Sequence, residues 1–201
     1  MADFTVSDLT LQTHAALTHP DINVGSAVDV DTFLAGKVYI YHANTEVTAN
    51  ATGVSYILQA SSQTTGNEDW VDITEIVTGT TAANLAAIAG TEAAAETTLA
   101  VGAGEEASFA VGQKVYIWDT STEADSEWGQ VDVLPTNVIT VMDGLTNGKD
   151  SADKILNQAE LFFIHLDLAG VRRMRLIVLH RAATGSNIAF KANVINATDI
   201  E

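Results

Sequence analysis

The chain contains no cysteine, which excludes disulfide frameworks, thiolate metal sites and cysteine nucleophiles together. Basic residues are also scarce, since 9 Lys and Arg stand against 26 Asp and Glu for a formal net charge of −17. No apolar run approaches the roughly 18 residues that a membrane span requires. The start, MADFTVSDLTLQTH, lacks the basic and apolar regions of a secretory signal. The sequence therefore predicts neither a membrane span nor a signal peptide.

The negative charge is concentrated toward the N-terminus. The first 113 residues hold 14 acids and a single base, Lys37, whereas the other eight bases lie in residues 114–201. Such a field repels phosphate backbones and anionic lipids, so we expect no nucleic-acid partner and no membrane partner. A basic protein surface would suit it better. Solubility alone is the other explanation for most of these acids.

What the sequence does contain is a series of alternating strands organised around a hairpin in residues 54–77. On its first arm, Val54, Tyr56 and Leu58 share one face, and on its second, Val71 and Ile73 form the predicted apolar side. Further strands are predicted at the following positions: Lys37 to Ala43, Ala159 to Leu166, Val171 to His180 and Ile188 to Ile195. Past its start, the strand at 171–180 is mostly apolar on both faces, which is typical of a central strand.

Residues 97–158 are predicted to form a separate unit. Four short strand signals, at 99–101, 114–118, 128–134 and 138–142, are separated by turn residues, as in a small bent barrel. Its expected core is Leu99, Phe109, Val115, Ile117, Val131, Val133, Ile139 and Val141. The Ala-rich and Thr-rich stretch before it reads as a connection, with a short helix expected near residues 84–89.

The predicted fold is all-β: an antiparallel β-sandwich, jelly-roll or Ig-like, with an inserted small β-barrel and an extended N-terminal arm. The arm is 1–24, the outer β-sandwich is 25–96 and 159–201, and the inserted small β-barrel is 97–158. The arm either lies on its own domain or reaches a neighbouring subunit.

Two groups of residues are candidates for partner binding. The first is the apolar set on the arm, Phe4, Val6, Leu9 and Leu11. The second is the rare basic cluster Arg172, Arg173 and Arg175, of which Arg173 and Arg175 share a strand face. Internal pairing of these arginines with Glu160 or Asp167 is the alternative.

The series KVYIYHANTEVTA, VSYILQASS, NEDWVDI, GQKVYIWDTSTEADSEWGQV, VITVMDGLTN and DLAGVRRMRLIVLH resembles small structural proteins encoded in the virion gene clusters of tailed bacteriophages. The resemblance covers about residues 37–195 and carries no catalytic residues. It implies an all-β virion component that decorates or cements the capsid surface. The implied partner is the major capsid protein or another virion protein, with this chain a homo-oligomer on the particle.

No residue set in the sequence specifies a reaction. The five histidines lie outside any HExxH or nucleophile motif, no P-loop or GxGxxG occurs, and the acidic loops 67–69, 119–127 and 143–153 lack EF-hand spacing. We therefore predict no enzyme activity, catalytic residue, cofactor or metal, with calcium bound by the acidic loops as the alternative to the last. The alternatives are a neck or tail component, a receptor-binding or glycan-binding module with Trp118 and Trp128 at the barrel tip, and, more remotely, a hydrolase with a dispersed acid pair.

Overall fold

A computed structural model describes residues 5–18, 21–31, 33–45, 50–66, 69–80, 83–181 and 187–198. Their regular structure is β-strand, apart from two short 3₁₀ helices at Glu105–Ser108 and Glu123–Asp125. The strands are β1 (Thr5–Thr18), β2 (Asp21–Val24), β3 (Val28–Asp29), β4 (Phe33–Asn44), β5 (Asn50–Ser61), β6 (Val71–Thr80), β7 (Leu85–Ala87), β8 (Thr98–Ala100), β9 (Lys114–Trp118), β10 (Glu127–Val133), β11 (Val138–Val141), β12 (Lys154–Leu156), β13 (Ala159–Asp167), β14 (Arg173–His180) and β15 (Asn187–Thr198). Within these ranges, no helix is long and apolar enough to cross a membrane.

The outer domain is an antiparallel sandwich of two sheets. One sheet has the order β1-β15-β4-β13 and the other β2-β14-β5-β6, with β3 also pairing with β14. Early strands pair with late strands in reverse order, β1 with β15, β2 with β14 and β4 with β13, while β5 pairs with β6 as a hairpin. This wrapping of a long folded-over hairpin is the jelly-roll topology, so of the two predicted sandwich types the jelly roll is the one formed.

The side chains that point inward at every second residue of the strands fill the space between the two sheets. From one sheet come Val38, Ile40, Phe190 and Val194, and from the other Val54, Tyr56, Leu58, Met174, Leu176 and Val178, all of which are fully buried. The predicted apolar face of β5 is therefore the inward one, and of the two apolar faces of β14 the one with Met174, Leu176 and Val178 points inward. β14 lies inside its sheet between β2 and β5, as predicted for a central strand.

The second unit is a closed ring of six short strands. Its order is β7-β12-β9-β10-β11-β8, and the ring closes where Ile88 bridges Val101 and the Ala89 amide donates to the Ala100 carbonyl. A core with contributions from Ala86 to Ile155 fills it. Because β7 pairs with β12, the unit begins before residue 97, and residues 85–87 form a strand where a short helix was expected.

Two apolar positions were assigned to the wrong face. Val133, predicted in the barrel core, is 48% exposed, because a register shift after Val131 breaks the alternation of β10. On β6, Ile73 is 39% exposed because it is the extra residue at the register shift between Leu58 and Gln59. Val71 lies opposite Ala60 on the inward side but is 66% exposed at the start of the strand. The inward-facing partners are instead Thr74, Ile76 and Thr78, which lie opposite Leu58, Tyr56 and Val54.

In its described part, the segment 1–24 is not a free arm. β1 pairs with β15 along its length and β2 pairs with β14, so these residues lie on their own domain, the first of the two alternatives. Leu11 and Leu17 of β1 are 2% and 6% exposed within the sandwich core. An edge strand with buried side chains is held by the fold itself.

Candidate functional site

The outer side of the sheet β2-β14-β5-β6 carries a group of neighbouring apolar side chains, interrupted by Ser55 and by the ion pair of Glu75 with Arg181. We call it the outer apolar face, and it consists of Ile22, Val24, Ile57, Val77, Ile177 and Leu179. Ile22, Val24 and Val77 are 62%, 56% and 65% exposed, and the other three are half-buried. Single exposed apolar residues are ordinary, but a group of neighbours of this kind marks an interaction surface.

The register explains why these residues meet. Ile177 lies between Val24 and Ile57, and Leu179 lies between Ile22 and Ser55. Their neighbours in sequence, Met174, Leu176 and Val178, point into the sandwich core, so β14 is apolar on both faces. Beside Ile22, a surface groove of about 540 Å³ runs along Asp21, Leu179 and Arg181. Sequence reasoning assigned β2 to the arm, and the double-sided apolar pattern of β14 was the signal for this face.

Two of the predicted arginines stack on one tryptophan at the end of this face. The guanidinium carbons of Arg173 and Arg175 lie 5.1 and 4.2 Å from the ring centroid of Trp70. Arg173 also donates to the carbonyl oxygens of Gln63 and Gly66, both at 2.7 Å, and is 9% exposed. Arg173 therefore holds the 62–66 turn against the sheet through two of its hydrogen-bond donors, Nε and Nη2.

Arg175 and Arg172 are more accessible than Arg173. Arg175 donates to Oε1 of Gln59 at 2.7 Å, next to the outer apolar face. Arg172 lies just before β14 and is exposed beside the turn at 62–65. Within the described residues, no ion pair joins these arginines to Glu160 or Asp167, the predicted internal partners. Glu160 instead accepts a hydrogen bond of 2.6 Å from Thr78.

The predicted contacts near the N-terminus are spread over different environments. Leu11 is buried in the sandwich, and Leu9 is half-buried against the same core. Val6 lies on β1 opposite Ala197, and its side chain is outside the described set. Phe4 lies outside the described residues. A partner can therefore reach Leu9 in part, whereas the Leu11 side chain is occupied by the fold.

His14 of β1 belongs to a hydrogen-bonded cluster where the sandwich meets the barrel. The Tyr116 hydroxyl donates to Glu123 Oε1 at 2.6 Å, so the contact of 2.9 Å between His14 Nε2 and the Tyr116 oxygen requires the histidine to donate. Trp118 Nε1 donates to the other Glu123 oxygen at 2.7 Å. Desolvation lowers the pKa of His14 despite the opposing effect of Glu123. His14 is therefore a neutral imidazole that joins the two domains, and its role is structural.

His42 is buried inside the sandwich, where its Nδ1 and the Tyr56 hydroxyl share a hydrogen bond of 2.7 Å. Burial, with a smaller contribution from His180, lowers the pKa of His42 to about 3. Burial also raises the pKa of Tyr56 well above its usual value. Both groups are therefore neutral and serve as packing and hydrogen-bonding groups at physiological pH.

Carboxylates of the acidic loops form hydrogen bonds and an ion pair with other groups of the barrel. Asp119 Oδ1 accepts hydrogen bonds from the amides of Ser121 and Thr122, and although desolvation opposes it, hydrogen bonding keeps the pKa of Asp119 below its usual value. The Lys149 ammonium is fully buried, 3.0 Å from Glu127 Oε1 and 3.0 Å from the Asp125 carbonyl oxygen. In the part of the chain that the structure describes, no group of three or more His, Cys, Asp or Glu could hold a metal ion.

A cleft of about 160 Å³ separates the barrel from the sandwich. Trp128 and Tyr41 line it together with the polar side chains of Lys114, Asp143 and Glu160. Trp128 therefore lies at the domain junction and not at the barrel tip, and its Nε1 donates to the His42 carbonyl oxygen at 3.1 Å. Lys191 lies over both rings, 4.5 Å from Tyr41 and 5.2 Å from Trp128.

Comparisons with known proteins give weak structural likenesses only. No family model and no curated protein matches the chain. The K3 adhesin domain of Lys-gingipain from Porphyromonas gingivalis w83 is similar with a TM-score of 0.34 and 12% identity. That match covers 87% of this chain, which spans 63% of the adhesin chain's length.

Viral and phage proteins are among the other structural neighbours. The SPBc2 prophage-derived protein YomS has a TM-score of 0.32 and 8% identity, with 98% of this chain and 97% of YomS covered. An infectious bursal disease virus structure, Gx strain, has a TM-score of 0.24 and 10% identity, with 100% of this chain and 42% of the viral chain covered. Similarities this low do not assign a function to the chain.

Proposed function

We propose that the chain is a non-enzymatic virion structural protein that decorates or cements a phage capsid, attached through the outer apolar face. One observation carries the proposal: the sandwich has filled its own core, yet the far side of β2-β14-β5-β6 still carries six apolar side chains. A sheet with two apolar faces is typical of a sheet covered on both sides. Val77 and Ile22, each more than 60% exposed, are the most accessible parts of that uncovered side.

The barrel does not cover this face. It packs on the opposite sheet, where Trp128 and Tyr116 contact Tyr41 of β4 and His14 of β1. The two sandwich sheets thus cover each other's inner faces, and the barrel covers part of the other sheet's outer side. A second protein is therefore the expected cover for the outer apolar face. When several linked copies of the chain bind the lattice at once, even a weak contact becomes effective.

Charge favours a particular kind of partner. With a net charge of −17, the chain is attracted to basic protein surfaces and repelled by anionic ones. The sequence resemblance to tailed-phage virion proteins names a class of partner, the major capsid protein or another virion protein. The jelly roll, an architecture that viral capsid and lectin domains use, supports the same class by fold analogy alone.

The test is to purify the particles, separate heads from tails, and quantify this chain in each fraction against the major shell protein. High copy number in heads supports decoration of the capsid surface. Low copy number in necks or tails supports an adaptor role, and absence from both fractions overturns the virion proposal.

Substitutions then test the face itself. Ile22→Glu and Val77→Glu place a carboxylate on the most exposed parts of the outer apolar face, on either side of it, and should remove the chain from the particles. Val111→Glu is the matched control, because Val111 is 65% exposed on the barrel. Circular dichroism checks that all three variants fold. Normal occupancy by the folded Val77→Glu chain would reject this face as the attachment surface.

A glycan-binding module is the second candidate, and the cleft beside Trp128 favours it. Aromatic rings with convergent donors and acceptors, such as Lys114 and Asp143, suit a polyhydroxylated ligand. Saturable binding on a glycan array that is lost in Asp143→Asn, with unchanged folding, would support this candidate. Asp143 is preferred to Trp128 for the test because Trp128 joins the two domains.

A further inference from the structure

Strand β13 is an open edge of the sandwich. It pairs with β4 residue by residue from Ala159 to Asp167 without a register shift, and it ends the order β1-β15-β4-β13. In the described part of the chain, no other strand pairs with its far side. Every second residue of β13 therefore presents its amide and carbonyl groups away from the sheet.

The other three edges of the sandwich carry features that discourage strand pairing. The pairing of β1 is interrupted by two register shifts, and that of β6 by two as well, with Asp72 and Glu75 on the strand. β2 is only four residues long. By contrast, β13 has nine residues, no lysine, no proline and no register shift. Natural proteins protect edges with such features, and on β13 these are limited to the acids Glu160 and Asp167 near its two ends. The middle of β13, Leu161 to Leu166, is therefore an edge open to pairing.

The side chains of β13 are also incompletely covered. On the outward face, Phe163 is 63% exposed and meets His165 in an edge-on contact, with ring centroids 6.1 Å apart. On the inward face, Phe162, Ile164 and Leu166 contact the sandwich core but are only half-buried. An added strand would cover both sets at once.

One end of β13 is partly obstructed. Glu160 and Leu161 line the cleft together with Gly129 and Gln130 of the barrel. The stretch from Phe162 to Asp167 lies beyond this cleft. A partner strand therefore has the most room toward the C-terminal end of β13.

We propose that a second copy of the chain pairs with β13 in an antiparallel arrangement, with the two-fold axis at Ile164. This register sets Phe162 opposite Leu166 on the inward side and Phe163 opposite His165 on the outward side. Leu161 then lies opposite Asp167, so no two like charges face each other. The four-stranded sheet of each copy becomes one continuous eight-stranded sheet, and the half-buried apolar residues of both copies are covered.

The net charge of −17 on each copy opposes this pairing. The opposition is long-range and falls as salt shortens the screening length, whereas the backbone pairing and apolar cover persist. The dimer should therefore tighten as ionic strength rises. A contact held by ion pairs would weaken instead.

Sedimentation velocity over a range of protein and salt concentrations measures the pairing directly. We expect a monomer–dimer equilibrium that shifts toward dimer between low salt and 0.5 M salt, roughly a three-fold shortening of the screening length from 50 mM. A monomer at every concentration and salt level would overturn the proposal. Particle attachment uses the opposite sheet, so this result and particle occupancy can fail independently.

Single cysteines locate the axis, because the chain has none of its own. In the proposed register, residue 164 is its own partner across the axis, within the Cα separation of about 4.4–6.8 Å that a disulfide needs. Ile164→Cys should therefore give more oxidised dimer than Phe163→Cys or His165→Cys, and more than the exposed barrel control Val133→Cys. Equal cross-linking of Ile164→Cys and Val133→Cys would reject the register.

A pair of double variants tests the same register by charge. Phe163→Glu with His165→Glu brings like charges together at two places and should abolish the dimer. Phe163→Lys with His165→Glu sets Lys opposite Glu at the same two places and should retain it. Both change the same exposed positions, so equal behaviour of the two folded variants would reject the pairing.

Discussion

At the scale of single residues, the interior of the sandwich contains a neutral histidine. His42 is 2% exposed, and its Nδ1 shares a hydrogen bond with the Tyr56 hydroxyl. Folding therefore requires His42 to be unprotonated, since burial without a counter-charge disfavours the imidazolium. The same holds in milder form for His14, whose pKa is also lowered by desolvation.

We predict that the protein loses stability in acid for this reason. The folded-state pKa of His42, about 3, lies below the unfolded value of 6.5, so the unfolded chain binds the extra proton between these limits. The free energy of unfolding should fall by about 1.4 kcal/mol per pH unit from His42 alone as pH drops through this window. Urea denaturation at pH values from 7 to 4 measures the slope.

His42→Gln keeps an acceptor for Tyr56 but cannot be protonated, and it should flatten the pH dependence. His165→Gln, an exposed site, serves as the control. An unchanged slope in His42→Gln would show that other groups govern the acid response.

At the scale of elements, β1 is the strand whose predicted role differs most from its role in the structure. Its residues have no firm helical period and precede a His-Pro pair, which predicts an extended segment but not its partner. The partner, β15, lies at the other end of the chain, and no local pattern encodes that pairing. Leu11 and Leu17 on β1 complete the sandwich core.

Leu11→Ala should therefore destabilise the fold by about 2–5 kcal/mol, the usual loss for a buried leucine. Thr10→Ala, at an exposed neighbouring position, should change stability by less than about 0.5 kcal/mol. Chemical denaturation followed by tryptophan fluorescence compares the two. Near-equal effects would mean that β1 lies on the surface, as a free arm would.

The alternation of apolar and polar residues predicted the regular strands correctly. It failed where a register shift interrupts the pairing. The strands β5, β9 and β14 and the apolar faces of β5 and β9 followed from period-two patterns. Val133 and Ile73 did not, because one extra residue in a strand reverses the face of the residues after it. The stretch 84–89 looked helical from its alanines, but pairing of β7 with β12 overrides that propensity.

The candidate surface was predictable only in part. Ile177 and Leu179 were recognised as the second apolar side of β14, but Ile22 and Val24 join them through pairing with a strand more than 150 residues away in sequence. Arg173 and Arg175 were correctly placed on one face. Their stacking on Trp70 depends on the turn between β5 and β6 and was not predictable.

At the scale of the whole molecule, two separate cores meet at one small junction. Ala43 and Ala189 of the sandwich contact Tyr116 and Leu156 of the barrel, with Trp128 packed against them. Small residues on the sandwich side let the large aromatic rings approach closely. The hydrogen bond from Trp128 to the His42 carbonyl crosses the same boundary.

Trp128→Ala should therefore uncouple the two domains. We expect a loss of about 3 kcal/mol, the lower end for a Trp→Ala change, and two unfolding transitions in calorimetry where the parent shows one. Trp70→Ala is the matched control, since it removes the same ring from the sandwich alone. A single transition in Trp128→Ala would mean that the remaining junction contacts suffice for cooperativity.

The first and last strands of the barrel are neighbours, with Leu85 opposite Leu156, so the chain leaves and re-enters the sandwich at one point. In evolutionary terms, the barrel is a cassette between β6 and β13, and a gene segment encoding it can be gained, lost or exchanged without rerouting the jelly roll. For protein engineering, the same position is a grafting site. A guest domain whose own termini lie side by side can replace the barrel and be displayed on the sandwich.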